Sequence, residues 1–284
     1  MKHFGDLPEE FSKEFNSKIA IVPVPYDGTS TWIKGADKGP EALLEASANM
    51  EVYDIETDTE AYRLGVYTDV PVTESASPEL MVDAVKGRVS EWINKKKFVV
   101  TIGGEHSVSI GAVQAHAEKY KNLSVIQFDA HADMRDSYEG SKNNHACVMA
   151  RVKELCPVVQ VGIRSMDVGE KDNMEFSRVF WAHKIYDNED WMDAAIALLT
   201  NDVYLTIDLD GFDPSILPST GTPEPGGLQW YPTLKFLRKL IDAKNLVGFD
   251  VVELCPNPES KASDFLAAKL LYKILTYKFL NELH

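Results

Sequence analysis

Seven apolar runs of strand character punctuate the chain: KIAIVPV (18–24), KFVVTIG (97–103), LSVIQFD (123–129), VVQVGI (158–163), RVFWAH (178–183), DVYLTID (202–208) and LVGFDVVEL (246–254). Each is rich in β-branched and aromatic residues and too short and uninterrupted to be a half-exposed strand. Helical spacing fills the intervals near 40–49, 78–94, 108–120, 144–154, 189–200 and 231–243, with a last helix near 263–281. Continuous apolar strands separated by helices predict a central, mostly parallel sheet covered on both faces, a three-layer α/β/α architecture. The segment 51–77 shows no clear period and is expected to wander over the surface.

No Pro/Ser/Gly-rich linker, repeat or low-complexity tract divides the 284 residues, so a single domain over 1–284 is expected. No apolar run approaches the roughly 20 residues needed to span a bilayer. The N-terminal MKHFGDLPEEFSKEF is polar and acidic, unlike a signal peptide. Cys147, Cys156 and Cys255 have no paired spacing, which fits a reducing, cytoplasmic setting. With 29 Lys and Arg against 44 Asp and Glu, the net charge of −15 argues against nucleic-acid and anionic-membrane partners. It suits a small cationic substrate, although a merely solvated acidic surface has the same composition.

Chemistry enters where the apolar runs end. In open α/β sheets ligands bind beyond the carboxyl ends of the strands, and unusual polar clusters fall there. FDAHAD holds Asp129, His131 and Asp133; TIDLDGFDP holds Asp208 and Asp210; GGEH ends in His106; GFDVVE ends in Glu253. In extended chain, residues two apart point to the same side. Four converging carboxylates are prohibitive in a protein interior without a cation, so Asp129, His131, Asp133, Asp208 and Asp210, joined by His106, are read as metal ligands. Carboxylates and imidazoles without thiolate favour Mn²⁺ over Zn²⁺, Fe²⁺ or Co²⁺. Two such ions about 3.5–4 Å apart can make a hydroxide available near neutral pH, so hydrolysis by metal-activated water is the expected reaction. Asp213 is read as a turn residue and Cys147 as packing. Glu253 is either a rim group for a cation or a surface salt bridge. His145 is either a proton carrier or a histidine at a helix start.

The motifs GGEHS (103–107), FDAHAD (128–133), IDLDGFDP (207–214), GTPEPGG (221–227) and GFDVVEL (248–254) resemble, in order, those of the ureohydrolases, the arginase and agmatinase family, and PVPYDGTSTWIKGADKGP (23–40) resembles its opening loop. The resemblance implies an arginase-like fold with two Mn²⁺ per subunit. One ion would be held by His106, Asp129, Asp133 and Asp208, the other by Asp129, His131, Asp208 and Asp210, with Asp129 and Asp208 bridging. A bridging hydroxide would attack the guanidinium carbon, giving urea and an amine. Glu253 would orient the guanidinium, and His145 would pass a proton to the leaving amine, assisted by Asp133. Asp167, in GIRSMD, falls where the family can contact the substrate's distal amine. The segment MRDSYEGSKNNHA (134–146) resembles the agmatinase pattern, so hydrolysis of agmatine to putrescine and urea, a step of polyamine biosynthesis, is the expected activity. Arginine or another guanidino compound is the nearest alternative, and a metal-dependent deacetylase of the same kind of fold a more distant one. A homotrimer or homohexamer is the assembly the resemblance implies.

Overall fold

A computed structural model describes residues 2–284. Among the described residues eight strands form one sheet: β1 (Ile19–Val24), β2 (Val66–Thr68), β3 (Phe98–Gly103), β4 (Leu123–Phe128), β5 (Val158–Ile163), β6 (Val179–Trp181), β7 (Asp202–Asp208) and β8 (Asn245–Val252). Every pairing is parallel, in the spatial order β2-β1-β3-β8-β7-β4-β5-β6. All carboxyl ends therefore lie along one edge.

The period of two divides each strand between two cores. Ile19 and Ile21, Val100 and Ile102, and Leu205 and Ile207 face one layer; Ala20, Val22, Val99 and Tyr204 face the other. Against the first pack helices Gly39–Ser47, Trp230–Ala243 and Ala262–Leu283; against the second, Pro78–Asn94, Val108–Lys119 and Val148–Lys153. Both faces are covered, which is why the strands read as unbroken apolar runs rather than alternating ones. The helix Pro78–Asn94 begins where the sequence predicts, with Pro78 in its first turn and the Ser77 side chain accepting from Leu80 N at 3.2 Å. No helix of the described residues is long and apolar enough to cross a membrane.

Two expectations need correction. The segment 51–77 does not simply wander: Val66–Thr68 forms the edge strand β2 on β1, with Ile19 opposite Val66. Buried Asp54 anchors the preceding loop by accepting from Lys273 Nζ at 2.8 Å and from Thr57 Oγ1 at 3.0 Å. Three residues are too few to show a period, and the anchoring lysine lies far away in sequence. The run 178–183 also gives a shorter strand than expected, since the chain turns into a helix at Ala182–Ile185.

Candidate metal centre

Strands β3, β8, β7 and β4 are consecutive neighbours in the sheet, and each delivers polar groups at its carboxyl end. His106 follows β3, Glu253 follows β8, Asp208 ends β7 with Asp210 just beyond, and Asp129, His131 and Asp133 follow β4. The turn after β3 is tight: Gly104 N donates to Val24 O and Glu105 N to Tyr26 O, both at 2.9 Å. A Cβ on Gly104 would lie 2.0 Å from the Tyr26 carbonyl oxygen, so glycine is obligatory there. Asp133 and Glu253 both have positive φ, 53° and 65°. A left-handed backbone at two non-glycine residues carries strain that the surroundings must hold, a common mark of a functional site.

His106 Nδ1 lies 2.9 Å from Asp133 Oδ2, 3.2 Å from Asp129 Oδ2 and 3.3 Å from Asp208 Oδ2. It is nonetheless a buried nitrogen without a well-formed hydrogen bond. A second cluster adjoins it, with His131 Nδ1 2.9 Å from Asp210 Oδ2 and 3.7 Å from Asp129 Oδ1. Among the described residues, His106, Asp129 and Asp208 form one group able to hold a metal, and Asp129, His131 and Asp210 another. Asp129 belongs to both. An imidazole nitrogen ringed by three carboxylate oxygens, with no well-formed hydrogen bond to any of them, fits a divalent cation.

Charge crowding supports that fit. Burial, then the charges of Asp210 and Asp129, push Asp208 well above the usual carboxylate range. Burial, then the charge of Asp129, push Asp133 up to about 7. Burial also raises Asp129, but the His106 and His131 imidazoles outweigh it and hold that carboxyl below its ordinary value. Without a cation the cluster must keep protons; a dication removes the need.

The carboxylates are held by their own backbone. Asp129 Oδ1 accepts from His131 N at 2.6 Å, Asp208 Oδ1 from Asp210 N at 2.9 Å, and Asp210 Oδ1 from Ala130 N at 3.1 Å. Behind His106 sits a second layer. Thr206 Oγ1 donates to buried Asp250 Oδ1 at 2.6 Å, so it can only accept from His106 Nε2–H at 2.9 Å. That fixes the tautomer and turns the Nδ1 lone pair toward the carboxylates. Tyr204 OH donates to the other oxygen of Asp250 at 2.8 Å. Thr206→Val, which keeps the volume, is expected to weaken binding of a divalent cation roughly 10- to 100-fold. Calorimetric titration of the metal-free protein checks it; unchanged affinity would show that His106 needs no such partner.

A cavity of about 320 Å³ opens over these groups. His106, His131, Asp133, Asp208, Asp210 and Glu253 line it, together with His145, Asp167, Arg135, Tyr138, Trp32 and Ile33. Glu253 is not a surface salt bridge. It is buried, accepts from His106 N at 2.7 Å, and is pushed well up by burial and then by the charge of Glu105. His145 opens a short 3-10 turn yet faces the cavity, and burial, then the charges of His106 and His131, pull it down to about 4. Asp167 caps the 3-10 turn Val168–Asn173 by accepting from Gly169 N at 2.8 Å, and its other oxygen lies 3.7 Å from Arg135 Nη2.

Asp213 behaves as a turn residue, accepting from Ser215, Gly226 and Gly227 backbone N–H groups. Cys147 is buried, with its thiol pushed up to about 11 by burial. Four residues escaped the sequence reading. Thr206 and Asp250 sit inside apolar strands, Glu105 inside a motif credited to its histidine, and Glu170 on the cavity wall, where Oε1 accepts from Met134 N at 2.8 Å.

Residues 17–276 match the model of the arginase family. An N(1)-aminopropylagmatine ureohydrolase of Synechocystis sp. is 43% identical over 280 residues, covering 95% of this chain and 92% of that protein. The protein of the same name from Thermus thermophilus is 35% identical over 98% of this chain and 95% of its own length. The crystal structure of the agmatine ureohydrolase of Thermoplasma volcanium superposes with a TM-score of 0.88 at 29% identity, over 99% of this chain and 96% of that one. With an all-parallel eight-stranded sheet, a carboxylate and imidazole centre on its edge, and a family match over nearly its whole length, the chain belongs to the arginase family of ureohydrolases.

Proposed function

We propose that the chain removes urea from an agmatine-type guanidino compound, with the aminopropyl-extended form preferred and agmatine itself a slower substrate. The observation that carries this is the balance of charge among the cavity-lining residues beside the metal-binding cluster. Asp167 stands there beside a single guanidinium, Arg135, 3.7 Å away and stacked 4.7 Å from the Tyr138 ring, and buried Glu170 adds a second carboxylate to the lining, its oxygens held by Met134 N and Asp167 N. A substrate tail bearing extra ammonium groups meets net negative charge. The α-carboxylate of arginine finds no unengaged cation. The names of the Synechocystis and Thermus relatives support the extended substrate, and that of the Thermoplasma protein supports agmatine.

In this reading the donor set suits two Mn²⁺ ions, one held by His106, Asp129, Asp133 and Asp208, the other by Asp129, His131, Asp208 and Asp210. When bound, such ions supply an activated water for hydrolysis at neutral pH. The protein's residues do the rest. Glu253 accepts hydrogen bonds from the guanidinium and sets the plane of its carbon. His145 is neutral at rest, because burial disfavours its cation, and Nε2 can take up a proton and deliver it to the departing amine. Asp133 assists that transfer. Asp167 pairs with the distal ammonium. The product of the extended substrate is urea and a triamine, which places the reaction in polyamine biosynthesis. A single domain over 1–284, a cytoplasmic setting and a homotrimer or homohexamer complete the reading.

Urea release by the Mn²⁺-loaded protein, with aminopropylagmatine, agmatine and arginine in parallel, tests it. One extra partly exposed ion pair contributes about 1 kcal/mol, so kcat/KM for the extended substrate should exceed that for agmatine roughly 5-fold. Equal or greater activity on arginine would overturn the charge argument.

A further inference from the structure

The buried carboxylate of Glu105 coordinates no part of the candidate metal centre, although it adjoins His106 in the chain. It accepts four hydrogen bonds. Oε2 takes Thr29 N at 2.6 Å and Ser30 N at 2.8 Å, while Oε1 takes Thr29 Oγ1 at 2.5 Å and the Ser107 hydroxyl. It thereby clamps the loop 27–35, whose Ser30, Thr31, Trp32 and Ile33 line the cavity, to the turn after β3. The same Thr29 hydroxyl reaches across to His145, accepting from His145 N at 3.0 Å and lying 3.1 Å from His145 Nδ1.

A hydroxyl has one proton to give. The Thr29 proton is committed to Glu105 Oε1, the closer of its two neighbours at 2.5 Å against 3.1 Å for His145 Nδ1. Its oxygen can then meet His145 Nδ1 only as an acceptor, so Nδ1 must carry hydrogen. In neutral imidazole the other nitrogen is then the unprotonated one. We propose that Thr29, polarised by Glu105, is a positioning residue that locks His145 in the Nδ1–H tautomer and presents the Nε2 lone pair to the substrate. This rests on the reading above in one respect, that His145 moves the proton of the reaction. The assignment of tautomer follows from the hydrogen bonds alone. It also gives the opening-loop threonine two tasks, since one side chain ties both the cavity wall and the proton carrier to a single buried carboxylate.

Thr29→Val separates these tasks from folding. Valine has nearly the same volume, and the backbone N–H groups of residues 29 and 30 still bind Glu105. Two measurements decide the proposal. In the full-length protein labelled with ¹⁵N-histidine and loaded with diamagnetic Zn²⁺, long-range ¹H–¹⁵N correlations report the tautomer of each ring, and His145→Asn identifies the signals of interest. Wild type and Thr29→Ser should show Nδ1–H, and Thr29→Val should lose that preference. An Nε2–H tautomer in wild type would overturn the proposal without reference to activity. In the Mn²⁺-loaded protein, Thr29→Val should lose kcat roughly 10- to 100-fold, with KM and metal content close to wild type, and Thr29→Ser should recover most of it. Wild-type kcat in Thr29→Val, or a serine variant as slow as valine, would overturn the positioning role. If wild type releases no urea from any guanidino compound, the proposed reaction fails, while the tautomer measurement still decides what Thr29 does.

Discussion

Asp129→Asn is expected to abolish binding of both metal ions together with urea production. Asp129 is the residue shared by the two ligand groups, and its two oxygens face different histidines: Oδ2 lies 3.2 Å from His106 Nδ1 and Oδ1 3.7 Å from His131 Nδ1. The amide is neutral and replaces one of those oxygens with a donor. If the NH₂ takes the Oδ2 position, it meets Gln127 Nε2, another donor, now 2.6 Å away. If it takes the Oδ1 position, it meets the His131 backbone N–H, at the same distance. Either rotamer leaves one buried donor facing another. The loss in metal affinity should therefore exceed the roughly 10- to 100-fold that removing a partner behind a ligand costs. Metal content after dialysis and urea assayed at saturating Mn²⁺ give independent readouts. Two retained ions per chain would sink the shared-ligand assignment, whatever the activity.

Glu253→Gln should leave the metals in place and damage recognition of the guanidinium. Glutamine keeps an acceptor for His106 N, now at 2.7 Å, so the turn that carries His106 is not released. What disappears is the negative charge. A hydrogen bond to a charged group contributes about 1.5–3 kcal/mol, which corresponds to roughly 10- to 150-fold in kcat/KM. The folded protein should not suffer, because burial first, and then the charges of Glu105 and Asp210, push the carboxyl well above its ordinary range. A group whose folded pKa is raised adds stability below its unfolded pKa and loses it as the pH climbs. At neutral pH its neutral isostere should be at least as stable. Thermal unfolding alongside kinetics with each substrate checks both halves. An unchanged kcat/KM would remove Glu253 from substrate binding.

The sequence revealed most where a local pattern suffices. Apolar runs of six to nine residues located all but one strand, because a strand covered on both faces must be apolar along its own length. Polar residues at their ends located the clustered carboxylates and imidazoles able to hold a metal, because FDAHAD and TIDLDGFDP spell their own side-by-side geometry. β2 was missed because Val66–Thr68 is stabilised by its neighbour β1 rather than by its own pattern. The order of strands was also hidden: nothing local places β8 and β7 between β3 and β4. The supporting layer is invisible for the same reason. Thr206 meets His106 across 100 residues and Thr29 meets Glu105 across 76. A threonine in an apolar strand gives no sign of the partner it serves.

That strand order governs how the enzyme comes into being. β3 and β4 are made early and adjacent in time, yet they end up separated by β7 and β8, the last two strands of the chain. An emerging polypeptide holds His106, Asp129, His131 and Asp133 long before Asp208, Asp210 and Glu253 exist, and before any parallel neighbour has joined the two halves of the sheet. Closing it requires long loops to be brought together, the slow kind of contact in folding. The nascent chain thus exposes two open strand edges until its C-terminal third arrives. The candidate centre can close only once β7 and β8 have been made, so a fragment ending before Asp202 is expected to bind no pair of metal ions and release no urea.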